Sequence, residues 1–226
     1  MQTMYNIKLA AKAMLPRSLH STLRGFYYRL KKVYYLAFGR AICQGETYKA
    51  RARRLKEGFF EKYCRGNGID IGYGGDLLTA NCQGWDFEHG DAHTMKGLKA
   101  AQFDFVYSSH TLEHLTNPEL ALQNWWRILK PEGYLILYLP HRDLYEKRHR
   151  LPSQWNPDHK HFFLLDHDDP PDTLGIIPLI DRALENYKIV EAKICDAGHT
   201  ITDPERHSDG EYSIEVVIKK LPDQRL

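Results

Sequence analysis

The chain has few cysteines and no long apolar run. Its 226 residues contain four cysteines, and no two of them form a Cys-x-x-Cys pair. This spacing indicates neither a zinc site nor a disulfide framework, so we expect a reduced, cytosolic setting. No segment approaches the length of a membrane span, and the N-terminal residues lack the unbroken apolar region of a signal peptide. We therefore expect neither feature.

Two common phosphate-binding motifs are also missing. The glycine-rich stretch at 68–76 has Leu77 where a dinucleotide-binding turn carries its third glycine. The chain has no phosphate loop of the Gly-Lys-Ser/Thr type here, because no lysine directly follows Gly74 or Gly75. The turn therefore favours a nucleoside cofactor without phosphates, which is held through its ribose hydroxyls and its adenine.

Residues of the right chemistry for such a cofactor are present. Gly72 and Gly74 let the backbone bend sharply and approach a ligand, and Asp70 supplies a carboxylate beside this turn. Asp86 and Asp91 follow in the next segment. An ionised carboxylate accepts hydrogen bonds from both hydroxyls of a ribose, so these residues predict a ribose contact.

Four elements in this order resemble the class I methyltransferases that use S-adenosylmethionine (SAM). They are the strand and Asp-x-Gly-x-Gly turn ending at 74, the acidic segment 86–92, a fourth-strand element at 103–115 and a fifth-strand element at 128–137. The resemblance covers residues 48–141 and implies SAM as the cofactor. The contacts that it implies with SAM come from Asp70, Gly72, Tyr73, Gly74, Asp86, Asp91, Ala92 and Ser108.

The fold that the resemblance implies is α/β, a Rossmann-like doubly wound sheet with a compact first half and an N-terminal helical extension. The chain is long enough for one such domain with an appendage, and 42% of its residues are hydrophobic. About a dozen residues separate Gly74 from Asp86, which leaves little room for a helix between the first two strands. Residues 91–102 lack a clear third strand.

The remaining elements are predicted from patterns along the chain. We expect a helix at 46–63 whose basic side chains face solvent and whose Phe59 and Phe60 face inward. A second helix starts at Asn117, with a proline near its first position, and buries one apolar side. A helix near 173–186 and two antiparallel strands near 188–195 and 212–219 complete the domain, which we assign to residues 46–226.

The net charge of +2 conceals a strong asymmetry. Residues 1–66 contain 15 Lys/Arg and only 3 Asp/Glu. Within residues 1–45, which we assign to the extension, an apolar stripe runs from Leu19 to Ala37 at helical spacing, with arginines and lysines beside it. Such a helix binds an anionic membrane surface or another anionic partner, and we predict a peripheral membrane contact through residues 1–40. A helix packed on the domain, with a solvated basic face, is the alternative.

Residues 141–169 form a long, irregular segment rich in Arg, Asp, His and Pro. Because it follows the fifth strand, on the side where open α/β sheets bind ligands, we predict a substrate lid. His110 falls just past the fourth strand and is our candidate general base, with His141 and His159 as further candidates. The alternative is that His110 or His114 only hydrogen-bonds the cofactor or a loop.

The same lid contains potential metal ligands, but no metal site is predicted. His159, His161 and His167 lie among aspartates, and these are residue types that bind a divalent cation. A polar lid in contact with water explains the composition equally well.

The identity of the methyl acceptor is the least constrained part of the prediction. The Asn/Asp-Pro-Pro-Tyr element of enzymes that methylate nucleic-acid bases is absent, and Ser108-Ser109-His110-Thr111 stands in its place. The tract 9–40 is similar to extensions of methyltransferases in bacterial cell-surface polysaccharide pathways. We therefore expect O-methylation of a sugar or another small molecule, in the cytoplasm at the inner membrane surface. A methyltransferase of RNA or another macromolecule, and a binding protein without catalysis, remain as alternatives.

Overall fold

Parallel strands form the first half of a mixed, six-stranded sheet. The computed structural model describes Val33 and residues 45–222, so the predicted basic helix of the extension lies outside the described residues. The strands in this part of the chain are β1 (Gly68–Ile71), β2 (Cys82–Trp85), β3 (Phe103–Ser109), β4 (Leu129–Pro140), β5 (Phe162–Leu164), β6 (Thr173–Gly175), β7 (Tyr187–Cys195) and β8 (Ser213–Lys220).

The order of the main sheet is β2-β1-β3-β4-β8-β7. Strands β1 to β4 are parallel, whereas β8 is antiparallel to both β4 and β7. The separate pair β5 and β6 is parallel. The predicted α/β fold of the Rossmann-like, class I methyltransferase type is confirmed, including the antiparallel pair that ends the sheet.

Helices cover both faces of this sheet. They are α1 (Glu46–Lys49), α2 (Arg51–Lys56), α3 (Phe59–Tyr63), α4 (Pro118–Ile128), α5 (Arg142–Tyr145) and α6 (Ile176–Ala183), with a 3-10 turn at Leu112–His114. Trp125 of α4 packs with Ile71 and Val106 on one face of the sheet. Phe59 of α3 packs with Tyr107 and neighbouring residues on the other face. Successive side chains of a strand point to opposite faces of the sheet. Val106 therefore packs in the core with Trp125, and Tyr107 packs in the core with Phe59.

The first half of the sheet is as compact as its sequence predicts. Residues 72–81, between β1 and β2, contain turns and no helix, and residues 86–102 contain turns and no strand. Both segments lie wholly within the described part of the chain. The segment between β1 and β2 is therefore short, and it places no helix over the carboxyl ends of these two strands.

The predicted helix at 46–63 is divided into α1, α2 and α3. Gly58 adopts φ 64°, a left-handed conformation that ends α2 before α3 begins. The expectation that the basic side chains face solvent is wrong for Arg54, which is 0% exposed. Its Nε donates to Glu215 Oε2 at 2.7 Å, because the buried carboxylate on β8 needs a cation. Phe59 is buried as predicted, and Phe60 is half-buried.

The later elements follow the predicted positions closely. The Asn117 side chain accepts a hydrogen bond from the N–H of Leu120 at 3.0 Å and caps α4, whose first residue is Pro118. Helix α6 is shorter than predicted because residues 173–175 pair with β5. Three buried cysteines are unpaired in the described residues, Cys64, Cys82 and Cys195. In the same part of the chain, no helix combines the length and the apolar character that crossing a membrane requires.

Candidate functional site

A cavity of about 860 Å³ lies at the carboxyl ends of β1, β2 and β3. Open α/β sheets bind ligands in this crevice, outside the carboxyl ends of the strands. It lies at the point where the strand order reverses, so the connections from two neighbouring strands lead in opposite directions. Its walls come from the turn after β1, the segment after β2, the residues after β3 and the segment before β5. The predicted cofactor residues on these walls are Gly72, Gly74, Asp86, Asp91 and Ala92.

The turn after β1 requires glycine. Gly72 has φ 75° and Gly74 has φ 54°, both in the left-handed region. A Cβ on Gly72 would lie 1.9 Å from Thr111 Oγ1, so the turn packs directly against the chain that leaves β3. The N–H of Gly74 donates to Asp86 Oδ2 at 3.2 Å. The turn is thereby joined to the end of β2.

Carboxylates and an aromatic ring follow β2. Besides its contact with the turn, Asp86 accepts from the N–H of Phe87 through Oδ1 at 2.8 Å. The Phe87 side chain is 80% exposed and lines the cavity. Asp91 accepts from the N–H of His93 at 2.9 Å, and this bond holds the pKa of Asp91 below its ordinary value. This wall thus offers carboxylate oxygens that accept hydrogen bonds from hydroxyl groups, and they lie beside an apolar surface.

Three of the predicted cofactor residues do not line the cavity. Asp70 is 1% exposed and turns inward, where Oδ2 accepts from the N–H of Leu78 at 2.8 Å. Burial raises the pKa of Asp70 well above its ordinary value. Tyr73 packs at the edge of the His89 ring. Ser108 is buried and donates to the carbonyl of Ile71 at 3.1 Å. These residues support the turn and the strands, because their side chains point into the protein.

His110 lines the cavity immediately after β3, with φ 48°. Its Nε2 lies 2.9 Å from Ser213 Oγ and 4.0 Å from Glu46 Oε2. Its Nδ1 lies 3.8 Å from Glu113 Oε1. Burial lowers the pKa of His110 to about 4, so the ring is neutral at neutral pH.

The two further candidate bases lie away from the cavity wall. His141 caps α5, where its Nδ1 accepts from the N–H of Asp143 at 3.2 Å. The Nδ1 lone pair of His141 is therefore used at the helix end, and the residue does not line the cavity. His159 is buried behind the wall, with its ring centroid 4.8 Å from that of His114, which does line the cavity.

The irregular segment that was predicted to be a lid supplies one wall. Asn156, Asp158 and Lys160 line the same cavity as the glycine turn. The N–H of Lys160 donates to the carbonyl of Glu113 at 2.7 Å, which ties the segment to the 3-10 turn after β3. The segment therefore forms part of the cavity wall, and its roles in substrate binding and as a lid stay predictions.

Two residues beside His110 are absent from the sequence-based site. His114 lines the cavity, and Glu113 lies beneath it, 0% exposed, with its pKa raised to about 7 by burial. The signal in the sequence is a Glu-His pair directly after the fourth-strand element. In the described chain, His161 and His167 do not gather with His159 into a group of potential ligands.

Comparisons with known proteins give one family match and a set of similar solved structures. Residues 55–137 match the family model described as a methyltransferase domain. No curated protein matches the chain. Among solved structures, a SAM-dependent methyltransferase from Archaeoglobus fulgidus is 17% identical, with a TM-score of 0.47 over 77% of this chain and 94% of that one. A possible histamine N-methyltransferase from Thermotoga maritima is 18% identical, with a TM-score of 0.41 over 77% and 98%.

The cavity fits the cofactor that the family match implies. Its volume is in the range of about 300–1,000 Å³ that is typical of small-molecule sites. A Cβ on Gly74 would meet no atom closer than 4.0 Å, so the turn is open at this lining residue. The carboxylates of Asp86 and Asp91 suit ribose hydroxyls, and the exposed Phe87 ring suits a flat base. Residues 55–137 thus match a methyltransferase domain on a Rossmann-like sheet, and the cofactor that this match implies is S-adenosylmethionine.

Proposed function

We propose that the protein methylates a hydroxyl group of a sugar or glycan. The observation that carries this proposal is the polar wall that the segment before β5 adds to the cavity. It presents an amide, a carboxylate and an ammonium group from Asn156, Asp158 and Lys160, next to the rings of His110 and His114. Such groups donate and accept hydrogen bonds in the pattern that a polyhydroxylated acceptor needs. A purely apolar acceptor would leave them unpaired at a cost in binding.

The cofactor end of the cavity is the wall from Gly72 to Ala92. We assign ribose recognition to Asp86, contact with the adenine to Phe87 and Asp91, and close backbone approach to Gly72 and Gly74. Asp70, Tyr73 and Ser108 support these residues from behind. The cofactor, when bound, supplies an electrophilic methyl group, so the chain must mainly position the acceptor and exclude water.

His110 is the proposed base for the acceptor hydroxyl. In the tautomer that donates from Nε2 to Ser213 Oγ, Nδ1 keeps a lone pair that accepts a proton. Glu46, at 4.0 Å from Nε2, stabilises the ring once it is positively charged. His110 lines the same cavity as the proposed cofactor residues and the polar wall, which supports its role as a base for the acceptor.

The membrane part of the proposal rests on sequence alone. The basic, amphipathic pattern of residues 1–40 supports contact with an anionic lipid surface, where a lipid-linked glycan would be found. Binding of the full chain to vesicles with anionic lipid should be lost when residues 1–40 are deleted. Unchanged binding of the shortened chain would contradict this part and leave the catalytic proposal intact.

A methyl-transfer screen tests the proposed reaction. The full chain is incubated with SAM carrying a labelled methyl group and with sets of sugar nucleotides, glycans, amines and RNA. We expect label in a sugar or glycan, and none with Asp86→Ala. Label only in RNA would favour the macromolecular alternative, and label only in amines would contradict transfer to oxygen. No label in any acceptor, with SAM bound, would favour a binding protein without catalysis.

A further inference from the structure

Glu113 is a buried carboxylate whose oxygens form no hydrogen bond within the described chain. The residue is 0% exposed, and both Oε1 and Oε2 lack a hydrogen-bond partner. No lysine or arginine among the described residues forms an ion pair with it. Burying an unpaired carboxylate is costly, so such groups are normally paired or coordinate a metal.

Three histidine nitrogens lie 3.8 Å from the same oxygen of this carboxylate, Oε1, and His110 Nδ1 is one of them. The other two belong to the residues that group with Glu113 as potential metal ligands. His114 Nε2 and His159 Nε2 each lie 3.8 Å from Glu113 Oε1. The three ligand atoms lie within 4.8 Å of one another. Ligand atoms around a tetrahedral ion with bonds of about 2.0–2.2 Å are roughly 3.4 Å apart. The two 3.8 Å pairs exceed this spacing by about 0.4 Å, and the pair of histidine nitrogens, at most 4.8 Å apart, exceeds it by at most about 1.4 Å, so side-chain movements of this size close the set.

A carboxylate fixes the orientation of His159 from the other side. His159 Nδ1 lies 3.0 Å from Glu146 Oε1, and Glu146 is 1% exposed. Glu146 in turn accepts from the hydroxyl of Ser153 and from the N–H of Gln154. This arrangement selects the tautomer that leaves the Nε2 lone pair directed at Glu113. Metal-binding histidines are commonly held by a carboxylate in this way.

A second cluster of carboxylates in the described chain differs from Glu113 in its partners. Glu57, Glu191 and Glu215 also bring carboxylate oxygens together. Cations already pair with these oxygens, since Arg53 contacts Glu57 and Glu215, and Lys193 contacts all three. That group is a charge-balanced network, whereas Glu113 has only neutral or weakly basic rings around it.

We propose that Glu113, His114 and His159 bind a divalent transition-metal ion at the wall of the cavity. Two imidazoles and one carboxylate form a donor set typical of catalytic zinc, which keeps one position open. Since His114 lines the cavity, the open position faces the acceptor side. A role for the ion rests on the proposed function: an acceptor hydroxyl bound to it would lose its proton to His110 more easily.

Metal binding is tested on the full chain without SAM or acceptor. After treatment with a chelator, the protein is titrated with Zn²⁺ by calorimetry and with Co²⁺ by visible absorption, which reports nitrogen and oxygen ligands. We expect one ion per chain and a Co²⁺ spectrum of low coordination number. Glu113→Gln and His114→Ala should weaken binding by at least about a hundredfold, and Glu146→Gln by about tenfold to a hundredfold.

His167→Ala is the matched control, because His167 is an exposed histidine beside Asp166 and should leave binding unchanged. Absence of stoichiometric binding by the wild-type chain overturns the proposal, whatever the variants do. Equal binding by the wild-type chain, Glu113→Gln and His114→Ala also overturns it. Because the titration contains neither SAM nor acceptor, its failure leaves the proposed methyl transfer standing, and failure of the acceptor screen leaves a measured metal site standing.

Discussion

The backbone N–H of Gly74 donates a hydrogen bond to the Asp86 carboxylate across 3.2 Å. This bond joins the turn after β1 to the end of β2 at the wall of the cavity. The second oxygen of Asp86 is held by the N–H of Phe87 at 2.8 Å, so the carboxylate is oriented before a ligand arrives. A group that is already fixed in its binding geometry loses less entropy when the ligand binds.

Replacement of Asp86 should therefore weaken cofactor binding. In Asp86→Ala, the turn loses its partner and the ribose loses its acceptor. A hydrogen bond to a charged group contributes about 1.5–3 kcal/mol, so we expect the affinity for SAM to fall at least about tenfold. Calorimetric titration with SAM measures the change. Glu88→Ala, a neighbouring carboxylate that does not line the cavity, should bind SAM as the wild-type chain does.

The glycine turn gives a second prediction, which concerns Gly72. Gly72→Ala introduces a Cβ 1.9 Å from Thr111 Oγ1 at φ 75°. Gly97→Ala is a matched control, since Gly97 has φ 93° and no atom within 4 Å of the added Cβ. The control should lose only about 1–2 kcal/mol from the left-handed backbone, and Gly72→Ala should lose more. Denaturant unfolding compares the two variants. Equal losses would mean that the contact with Thr111 has no energetic weight.

The buried carboxyl of Asp70 predicts a dependence of stability on pH. Burial raises its folded-state pKa, so between the unfolded and folded pKa values the folded chain holds a proton that the unfolded chain has released. The contribution of this group to stability is fully present below the unfolded pKa. It is lost as the pH rises through the folded pKa. Asp70→Asn keeps an oxygen for the N–H of Leu78 and removes this dependence.

Unfolding by denaturant at a series of pH values from acid to neutral checks this sign. The free energy of unfolding of the wild-type chain should fall relative to that of Asp70→Asn as the pH rises. The exposed Asp196, changed to Asn, serves as control and should track the wild type. A wild-type curve parallel to that of Asp70→Asn would show that Asp70 is ionised in the fold.

The ion pair between Arg54 and Glu215 predicts a large loss of stability. Both residues are 0% exposed, so Arg54→Met leaves a buried carboxylate that keeps only Arg53 and Lys193. Removal of one partner of a buried pair costs about 3–5 kcal/mol. Lys130→Met, which breaks a half-exposed pair with Asp104, should cost less than about 1 kcal/mol. The midpoints of denaturant unfolding of Arg54→Met and Lys130→Met measure the two losses. Similar midpoints would contradict the prediction that the buried pair contributes more to stability than the half-exposed pair.

The proposed base gives a kinetic prediction. His110→Ala should lower turnover at least about a hundredfold and leave the affinity for SAM unchanged. Ser213→Ala removes only the hydroxyl 2.9 Å from Nε2, so it should have a smaller effect. Rates under saturating SAM, together with calorimetry, separate turnover from binding. A loss below about tenfold in His110→Ala would reduce His110 to a positioning residue.

The glycine turn, Asp86 and Asp91 were predictable because they depend on local patterns in the sequence, and the type of sheet followed from the resemblance that four ordered elements carry. The inward direction of Asp70 was not, since spacing places a residue beside a turn without fixing where its side chain points. The contacts of Arg54 with Glu215 and of Glu113 with His159 join residues far apart in the chain. They become visible only when the sheet and the wall before β5 bring them together. For the same reason, the solvent-facing prediction failed at Arg54.

The position of the transferred methyl group tests the central claim most directly. The product of the full chain, SAM and the sugar or glycan selected by the screen is analysed by mass spectrometry and NMR. The account predicts one methyl group on a sugar oxygen, with the product absent in Asp86→Ala and strongly reduced in His110→Ala. A methyl group on nitrogen or carbon, or equal product from all three proteins, would contradict it.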